Sequence, residues 1–551
     1  MAERPARAAI VGSIVAALIT LPGLGAGTLW DNSETAYGEV AREVLSSHDW
    51  LVMHLNGAAW FVQPPLYFWI AAVFSMLLKI GPLALRLPSA LATIAMGGMT
   101  AYAVSRQAGT RVGIFASVIL STSLMQAVVG RLAIMDALLD LAVALAVFWW
   151  FRALQTGRDR YFVYGWVAAA FGFLAKGPVA PVVALLVIGV YALWNRRSEP
   201  TPLPTWRGWL VGLGAFAVIV VPWFAAIYAT QGGHALVVMI GHYTIGRYTG
   251  VIENQAGPWW YYLPVAIVGF FPWIAFLPVA LWWAIRGLRL ATPTPEIARL
   301  VRLAIVWTVV PLLFFSFAKT KLPNYIALEL PALALAVGLY FDHVARRGVN
   351  RAAVISAASV PIFIGLVAVA IGIFVRDNKF ASAESALLPV LVGLGATIFT
   401  GAIVSALLLA RDRFAAIAPY GLGVAMFVAI DVLALVGLPK AEAFKPIPSL
   451  AAAIDAQRRP GDIVAIQSTS GSNSLLFYTA PKVYVLAAPD VTQSRGEMLA
   501  RNVICSAARV FVVAPAKRPP VDPTYGRTRR VVARSGRDLA FLYTGPRCGA
   551  R

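Results

Sequence analysis

The chain has 551 residues, of which 59% are hydrophobic and only 13% carry a charged side chain. Because about a quarter of the residues in a soluble domain are charged, this composition excludes a soluble globular protein and indicates a polytopic membrane protein. The formal net charge is +21, but arginine and lysine collect in the cytoplasmic loops of membrane proteins, so this charge predicts no nucleic-acid partner. With only two cysteines, the chain cannot form a cysteine-rich metal cluster.

Thirteen segments are predicted to be membrane-spanning helices, since a helix needs roughly 20 apolar residues to cross the bilayer core. The first follows a short basic start with no evident cleavable signal, so we expect it to be retained. The predicted spans are 8–29, 87–105, 112–130, 134–153, 161–175, 178–194, 208–229, 260–285, 301–318, 323–342, 352–375, 387–410 and 416–438.

A further apolar stretch at residues 65–79 decides the predicted topology. If it does not cross, the basic loops all lie on one side of the membrane; if it crosses, they alternate and the positive-inside bias is lost. We therefore predict that Leu66–Lys79, which follows Pro64 and Pro65, forms a re-entrant or interfacial helix. The N-terminus is then cytoplasmic, and the C-terminus and the long loops 30–86 and 230–259 are periplasmic.

The loops that this topology places in the cytoplasm are rich in arginine. The other side has short, sparsely charged turns and the two long loops. The cytoplasmic loops contain Arg4 and Arg7; Arg106 and Arg111; Arg152, Arg158 and Arg160; Arg196 and Arg197; Arg286, Arg289 and Arg299; Arg346, Arg347 and Arg351; and Arg411 and Arg413.

The sequence changes character from about Pro439. Short β-rich runs alternate with helical stretches, which predicts a small α/β domain over residues 440–551, after a transmembrane domain over residues 1–439. The predicted strands are 463–467, 482–486, 509–513 and 539–543, and the predicted helices are 448–458 and 494–506. A periplasmic location permits a disulfide bond between Cys505 and Cys548, but two separate thiols fit the sequence equally well.

Acidic residues are concentrated just after the first predicted span, where Asp31, Glu34, Glu39 and Glu43 lie within thirteen residues of a chain with 25 acidic residues. Carboxylates beside a bilayer are costly unless they have a function or are solvated. A solvated amphipathic surface helix is the alternative interpretation.

The predicted topology also places other unusual polar residues at the outer face. Asp136 is the hardest to dismiss because it begins an apolar span, and Asp140, one turn later, either faces the same cavity or pairs with Arg131. The remaining members of the set are Asp31, Glu34, Glu39, Lys176, His242, Arg247, Lys319, Lys321 and Tyr325.

Such a set suits the transfer of a sugar from a lipid-phosphate carrier. Arginine and lysine bind phosphate through charge-assisted hydrogen bonds, and a carboxylate can act as a general base or hold a metal. The alternatives are structural: Lys319 and Lys321 as residues that extend to the membrane interface, and His242 as a surface or packing residue.

Several motifs, in this order, resemble a known family. They are Asp31-x-x-Glu34-x-x-Tyr37-x-Glu39, Pro64-Pro65-Leu66-x-x-Trp69, Arg131-Leu132-x-x-x-Asp136-Ala137-Leu138, Ala175-Lys176-Gly177-Pro178, Pro258-Trp259-Trp260-Tyr261-Tyr262 and Ser316-x-x-x-x-Lys321-Leu322-Pro323-x-Tyr325. Together they resemble the bacterial GT-C glycosyltransferases that use a lipid-phosphate sugar donor. The lipid A aminoarabinose transferases, within the wider protein-mannosyltransferase-like group, are the nearest type.

The resemblance implies an all-α polytopic GT-C fold with a small periplasmic α/β domain. It implies inverting transfer of a sugar from undecaprenyl phosphate to a periplasmic-face acceptor such as lipid A or another envelope glycolipid. Asp31 and Asp136 match the family's two outer-loop acidic positions. We expect Asp31 to act as base or to orient the acceptor, with Asp136 in support and Glu34 as a further catalytic candidate. His242 and Arg247 resemble a pair near the carrier phosphate and a metal, and Tyr325 faces the same cavity together with Lys321.

The chain departs from the family pattern at Val62-Gln63, where the family usually shows Glu-Lys before the two prolines. Gln63 can donate a hydrogen bond to the carrier but brings no charge. Arg247 then becomes the main phosphate cation, with help from Lys321 and Lys319. A divalent metal at His242 is left open, because the acidic partner implied for it is absent.

Two other functions compete with this interpretation. A protein O-glycosyltransferase would use the same donor with a protein acceptor. A lipid flippase or transporter would place functional charges near the membrane midplane and show repeated halves, which the sequence does not display. We expect a multi-pass inner-membrane monomer whose partners are the lipid carrier and the glycolipid or protein acceptor.

Overall fold

The computed structural model describes residues 4–199, 201–348, 350–377, 387–468, 471–479, 482–486, 501–516 and 527–545. The chain divides into two compact units. The first comprises Met1–Leu24, Phe61–Tyr67 and Arg86–Gly437, and the second comprises Gly25–Trp60, Phe68–Leu85 and Leu438–Arg551. The division that the sequence predicts between residues 439 and 440 stays a prediction. The sequence did not indicate that residues 25–60 and 68–85 pack with the C-terminal segment.

Helices form most of the described chain. In chain order they are α1 (Pro5–Thr20), α2 (Ser33–Ser47), α3 (Leu66–Leu78), α4 (Pro82–Ala108), α5 (Thr110–Ser121), α6 (Leu124–Val129), α7 (Asp136–Thr156), α8 (Asp159–Lys176), α9 (Val179–Asn195), α10 (Trp206–Gln231), α11 (Gly233–Leu236), α12 (Arg247–Thr249), α13 (Tyr262–Gly269), α14 (Leu277–Arg289), α15 (Pro295–Phe317), α16 (Leu330–Arg347), α17 (Arg351–Asp377), α18 (Leu388–Leu409), α19 (Ala418–Val432), α20 (Leu438–Ala441), α21 (Pro446–Asp455) and α22 (Ser472–Tyr478).

The helix lengths confirm a multi-pass membrane protein. Within the described residues, eight helices are long and apolar enough to cross a membrane, and a pair bent by 109°, Tyr262–Gly269 with Trp273–Arg289, raises the number to nine. Each of the thirteen predicted spans contains helical residues, but the span predicted over 8–29 is helical only to Thr20, and several of these helices, such as α1, α5 and α9, are shorter than a membrane span. The all-α class is therefore confirmed, while thirteen crossings stay a prediction.

The helical hairpin formed by α7 and α8 is central to the first unit. Gly157, with φ +63°, ends α7 and lets the chain reverse at once into α8, so the first residue of α7 and the last residue of α8 lie at the same end. The buried Trp150 packs against Gly165, where an added Cβ would overlap the indole ring. Its indole N–H donates to the Phe162 carbonyl at 3.0 Å, which satisfies the polar end of a buried ring.

The second unit contains a five-stranded sheet built from β3 (Ile463–Ile466), β4 (Val483–Val485), β5 (Arg509–Pro515), β6 (Thr528–Ser535) and β7 (Asp538–Thr544), after a small hairpin of β1 (His54–Leu55) and β2 (Ala58–Ala59). The strand order is β4-β3-β5-β7-β6. β3 pairs in parallel with β4 and β5, and β7 pairs antiparallel with β5 and β6. This confirms the predicted α/β character.

The sequence identified four of the five strands in this sheet. It missed β6, whose basic and partly exposed residues, TRRVVARS, do not show a clear apolar alternation. An edge strand needs to bury little surface, so its hydrophobic pattern is weak. Of the helix predicted over 494–506, residues 501–506 are helical and the rest lie outside the described residues. Cys505 is disulfide-bonded, and Cys548 lies outside the described residues.

Helix α3 has 13 residues and is therefore about 20 Å long, too short for a bilayer core of about 30 Å. Phe68 on its buried face contacts Tyr37 and Trp60, with ring centroids 5.8 and 5.5 Å apart. At the C-terminal end of the helix, Met76 and Leu77 are 67% and 73% exposed. A short apolar helix that is packed at its start and exposed at its end suits the membrane interface. This supports the prediction that α3 does not cross.

We expect a topology reporter fused after residue 82 to be on the periplasmic side, because α3 is too short to return the chain to the cytoplasm. Alkaline phosphatase at this point should be active and a fluorescent protein should be dark. The matched fusion after residue 109, beyond α4, should give the opposite result. Fluorescence from the fusion after residue 82 would contradict the topology.

Candidate active site

A cavity of about 490 Å³ lies within the first unit. Most of its wall is apolar and aromatic, with contributions from α7, α8, α9, α10 and α15. A smaller set of polar side chains lines the rest: Gln63, Asp136, Asp140, Lys176, Thr244, Arg247, Asn324 and Tyr325. An apolar cavity with a few convergent polar groups is typical of a ligand site.

An ion pair on the wall of this cavity joins Asp136 and Lys176. The Lys176 ammonium lies 2.5 Å from Asp136 Oδ1, and the two side chains are only 12% and 6% exposed. Asn324 donates its amide N–H to the same oxygen at 2.5 Å. Lys176 also lies 5.2 Å from the centroid of the Tyr325 ring. These contacts hold a lysine cation in a defined position on the cavity wall. The sequence included Lys176 among the outer polar residues but did not identify it as the partner of Asp136.

Asp140 faces the same cavity one helical turn after Asp136. Its Oδ2 atom is buried and has no hydrogen-bond partner in the described part of the chain. Arg131, the alternative partner, instead contacts Asp431 at 3.2 Å and donates to the Pro22 carbonyl at 2.6 Å. Since a buried carboxyl oxygen without a partner is costly, its position in a cavity makes Asp140 a candidate functional residue.

Arg247 brings a second cation to the cavity wall. Its Nη2 atom lies 3.0 Å from Glu253 Oε2, and its guanidinium lies 5.6 Å from the centroid of the Tyr243 ring. The preceding residues, Val237–Gly246, form a π-helix, a local geometry that is frequent at functional sites. His242 belongs to this segment but is exposed and does not line the cavity.

Lys321 occupies a different environment from the one predicted for it. Its ammonium donates to the carbonyls of Phe315 and Ser316 at 2.9 and 2.6 Å. These carbonyls belong to the last turn of α15, so Lys321 satisfies acceptors that a helix terminus leaves open. Burial, together with nearby Lys319, lowers the pKa of Lys321. Neither Lys321 nor the exposed Lys319 is among the residues that line the cavity.

The structure thus brings together Gln63, Asp136, Arg247 and Tyr325 from the predicted set. Tyr325 packs against Phe315, with ring centroids 4.7 Å apart. It does not bring Lys319, Lys321 or His242 to this cavity.

Asp31 and Glu34 belong to the second unit, where both contact the backbone. Asp31 accepts hydrogen bonds from the N–H groups of Gly471 and Ser474 at 2.6 and 3.2 Å, at the start of α22. Glu34 accepts one from the Trp30 N–H at 2.8 Å. A carboxylate at a helix N-terminus satisfies open donors and is favoured by the helix dipole.

Glu39 is fully buried in the second unit and forms a 2.7 Å ion pair with Arg42. Arg42 donates to the carbonyls of Phe477 and Leu476 at 3.2 and 3.3 Å, near the end of α22. Glu39 Oε2 has no partner in the described part of the chain. Burial raises the pKa of Glu39 to about 7, against the opposing effect of the Arg42 charge.

The donor set does not fit a divalent metal at His242. Within the described ranges, no three His, Cys, Asp or Glu side chains are grouped so that they could hold a metal ion. His242 instead packs edge-on against Tyr243, with ring centroids 4.8 Å apart. Val62 and Gln63 add no carboxylate to the cavity.

The chain is similar to several known proteins. Residues 62–225 match the family described as dolichyl-phosphate-mannose-protein mannosyltransferase. A protein from Erwinia tasmaniensis named undecaprenyl phosphate-alpha-4-amino-4-deoxy-L-arabinose arabinosyl transferase is 30% identical over 438 residues, which cover 76% of this chain and 75% of that protein. One of the same name from Proteus mirabilis, numbered 2, is 29% identical over 66% of this chain and 65% of its own length. One from Pseudomonas aeruginosa is 31% identical over 56% and 55%. The chain thus spans somewhat less than two thirds of the latter two proteins.

Two crystal structures of ArnT from Cupriavidus metallidurans share the fold of this chain. The structure bound to undecaprenyl phosphate gives a TM-score of 0.80 at 22% identity and covers 98% of this chain and 99% of that one. The structure in the apo state gives 0.77 at 21% identity and covers 97% of each chain. The predicted GT-C architecture with a small C-terminal sheet domain is confirmed at the level of the fold.

Replacing Asp136 and Asp140 by asparagine should have opposite effects on stability. Asp136→Asn leaves the buried Lys176 ammonium without its carboxylate, which should cost about 3–5 kcal/mol. Asp140→Asn preserves shape and replaces a buried carboxyl group whose Oδ2 atom has no hydrogen-bond partner in the described part of the chain, so the free energy of unfolding should stay the same or rise. The thermal unfolding midpoints of both variants in detergent test this. Equal destabilisation by the two substitutions would contradict the expected difference.

Glu39 should make stability dependent on pH. The folded protein holds the Glu39 proton with a pKa of about 7, against 4.5 for the ordinary group, so the folded state binds the proton more tightly than the unfolded chain. Its contribution is therefore fully present below about pH 4.5 and is lost as the pH rises through about 7, by on the order of 1–3 kcal/mol.

The measurement is the difference in unfolding midpoint between Glu39→Gln and the unchanged protein from about pH 5 to about pH 8. The unfolding midpoint of Glu39→Gln should rise relative to that of the unchanged protein as the pH rises. Glu296→Gln, which removes an exposed carboxylate on α15, is the control and should give a constant difference. A constant difference for Glu39→Gln as well would contradict the raised pKa.

Proposed function

Because this chain belongs to the family of undecaprenyl phosphate-alpha-4-amino-4-deoxy-L-arabinose arabinosyl transferases, we propose that it transfers a sugar from a polyprenyl-phosphate carrier to an acceptor. The names of its relatives favour undecaprenyl phosphate as the carrier and aminoarabinose as the sugar. The proposed acceptor is lipid A or another envelope glycolipid. The proposed location of the reaction is the periplasmic face of the inner membrane.

The composition of the 490 Å³ cavity is the observation that carries this proposal. Its apolar wall, to which Phe173, Val182 and Phe224 contribute, suits an isoprenoid chain. Lys176 and Arg247 on the same wall suit a phosphate, because ammonium and guanidinium groups form charge-assisted hydrogen bonds with its oxygens. A polyprenyl phosphate combines these two chemistries in one molecule.

In the proposed reaction, an acceptor oxygen attacks the anomeric carbon of the sugar from the face opposite the phosphate. The bond between that carbon and the phosphate oxygen breaks, the configuration inverts, and the carrier phosphate leaves with its electron pair. Lys176 and Arg247 stabilise the negative charge that develops on the leaving phosphate. Asp136 acts as a positioning residue for Lys176, with Asn324 holding the carboxylate, and Gln63 offers a neutral donor to the substrate.

The acceptor decides whether a base is required. A hydroxyl acceptor must lose its proton, whereas a phosphate acceptor is already ionised and needs no base. We propose Asp31, with Glu34 in support, as the group that orients the acceptor or takes its proton. The contacts of Asp31 with Gly471 and Ser474 offer a purely structural role instead, and Asp31→Asn separates the two. Loss of transfer at an unchanged unfolding midpoint supports the catalytic role, and loss of stability supports the structural one.

Transfer by the purified protein in proteoliposomes tests the proposal directly. The substrates are undecaprenyl-phosphate-linked aminoarabinose and lipid A, and mass spectrometry detects the added sugar. Lys176→Gln should lower kcat/KM by about 10²–10³-fold, the cost of removing one charge-stabilising donor. Lys319→Gln, which removes the same charge from an exposed site outside the cavity, is the control and should stay near the unchanged protein.

Equal activities of these two variants would remove Lys176 from the reaction. Movement of the labelled carrier across the bilayer without any covalent change would show that the protein is a flippase and not a transferase.

A protein acceptor is the second candidate, because residues 62–225 match the protein mannosyltransferase family. Mass spectrometry of lipid A, other envelope glycans and secreted proteins from a deletion strain distinguishes these acceptors.

A further inference from the structure

A second cavity in the first unit, of about 140 Å³, lies among α4, α7 and α8. It is lined near the last turn of α4 by Arg106, near the end of α7 by Trp149 and Arg152, and near the start of α8 by Tyr161. Arg152 lies sixteen residues after Asp136 on α7, so about 24 Å along the helix axis separates the two. We call this cavity the arginine cleft. It is distinct from the cavity that contains Lys176.

The cations of the arginine cleft are held by aromatic rings and not by acids. Arg106 donates to the Tyr102 hydroxyl at 3.2 Å. Arg152 lies 5.9 Å and neighbouring Arg160 lies 4.8 Å from the centroid of the Tyr161 ring. In the described part of the chain, none of these three guanidinium groups forms an ion pair with a carboxylate. The cleft therefore keeps its positive charge.

A nearby arginine shows that the fold can neutralise such a charge. Arg111, on the helix that follows α4, lies 2.6 Å from Asp342, which also pairs with Arg346 at 2.7 Å. Arg111 is therefore neutralised by a carboxylate, whereas the arginines of the cleft, within the described residues, are not.

The remaining wall of the arginine cleft is apolar. Met99 and Leu145 line it together with Trp149, whose ring is stacked on Tyr161 with centroids 5.6 Å apart and planes inclined by 10°. Two residues of the cleft wall are exposed: Tyr102, by 37%, and Arg106. The cleft is therefore open to a ligand from outside the protein. The ligand that fits carries a negative charge at one end and hydrocarbon at the other.

We propose that the arginine cleft binds the phosphate of an anionic membrane lipid, with an acyl chain against the wall formed by Met99, Leu145 and Trp149. Basic residues at the cytoplasmic ends of transmembrane helices attract anionic headgroups, and the predicted topology places Arg106, Arg152 and Arg160 on that side. Free phosphate would use the arginines but not the apolar wall. This proposal stands independently of the sugar-transfer reaction.

A bound lipid would contact α4, the end of α7 and the start of α8 together, and would therefore hold these three elements in place. Because a ligand that binds only the folded state raises its stability, we expect anionic lipid to raise the unfolding midpoint of the delipidated protein by about 3 °C or more. The effect should weaken at high ionic strength.

The test uses the full-length protein, delipidated in detergent, with phosphatidylglycerol, phosphatidylcholine or inorganic phosphate as the probe. Native mass spectrometry counts bound lipid, and the unfolding midpoint reports stabilisation. Arg106→Gln with Arg152→Gln should lower retained phosphatidylglycerol about 10-fold and abolish the shift in midpoint. The control double variant, Arg158→Gln with Arg197→Gln, removes two exposed charges outside the cleft. It should retain the bound phosphatidylglycerol and the shift in midpoint.

Equal loss of lipid from the two double variants would overturn the proposal, because it would show general attraction to a basic surface. Stabilisation by inorganic phosphate equal to that by phosphatidylglycerol would also overturn it, in favour of a soluble phosphate. If the glutamine double variant does not fold, Arg106→Lys with Arg152→Lys replaces it. This variant keeps the charges but loses the guanidinium geometry, and it should retain less phosphatidylglycerol than the control. Retention equal to the control would overturn the proposal.

Discussion

The ion pair between Asp136 and Lys176 is the interaction on which the candidate site depends. Each residue alone would be a costly charge in apolar surroundings, and together they form a satisfied pair only if their geometry is held closely. The tight turn at Gly157 and the packing of Trp150 on Gly165 hold α7 against α8 and so bring the distant ends of the hairpin together. Asn324 then fixes the carboxylate from a third segment.

The lysines of this protein illustrate how position determines the role of a side chain. Lys176 meets a carboxylate at the wall of a cavity, where its charge is available to act on a ligand. Lys321 is also buried, but its ammonium is turned toward two carbonyls at the end of α15. Lys321 therefore has a structural role in its motif, because it satisfies carbonyl groups at the end of α15. Arg247, and not Lys321, provides the second cation of the cavity.

The acidic residues after the first span form part of a second, separate framework. Asp31 binds the start of α22 and Arg42, paired with Glu39, binds its end. The segments concerned are about 440 residues apart in the chain. These contacts account for Asp31, Glu39 and Arg42: each compensates backbone groups or another charge that packing would otherwise leave open. The solvated surface helix considered from the sequence does not describe Glu39, which is fully buried.

Much of the fold followed from the sequence alone because its signals are local. Apolar runs located the helices, β-rich runs located four of the five strands, and the distribution of basic loops set the apolar stretch 65–79 apart from the predicted spans. The sequence also marked Asp136, Arg247, Gln63 and Tyr325, since charged, polar and aromatic residues stand out against an apolar background and match a family pattern. Only the tertiary structure decided that Lys176 is the partner of Asp136, that Asp140 faces the cavity and that Lys321 does not. These outcomes depend on which helix faces meet, and helical periodicity describes a face without identifying its neighbour. The edge strand β6 escaped detection for a related reason, because a strand that buries little surface leaves little pattern in its residues.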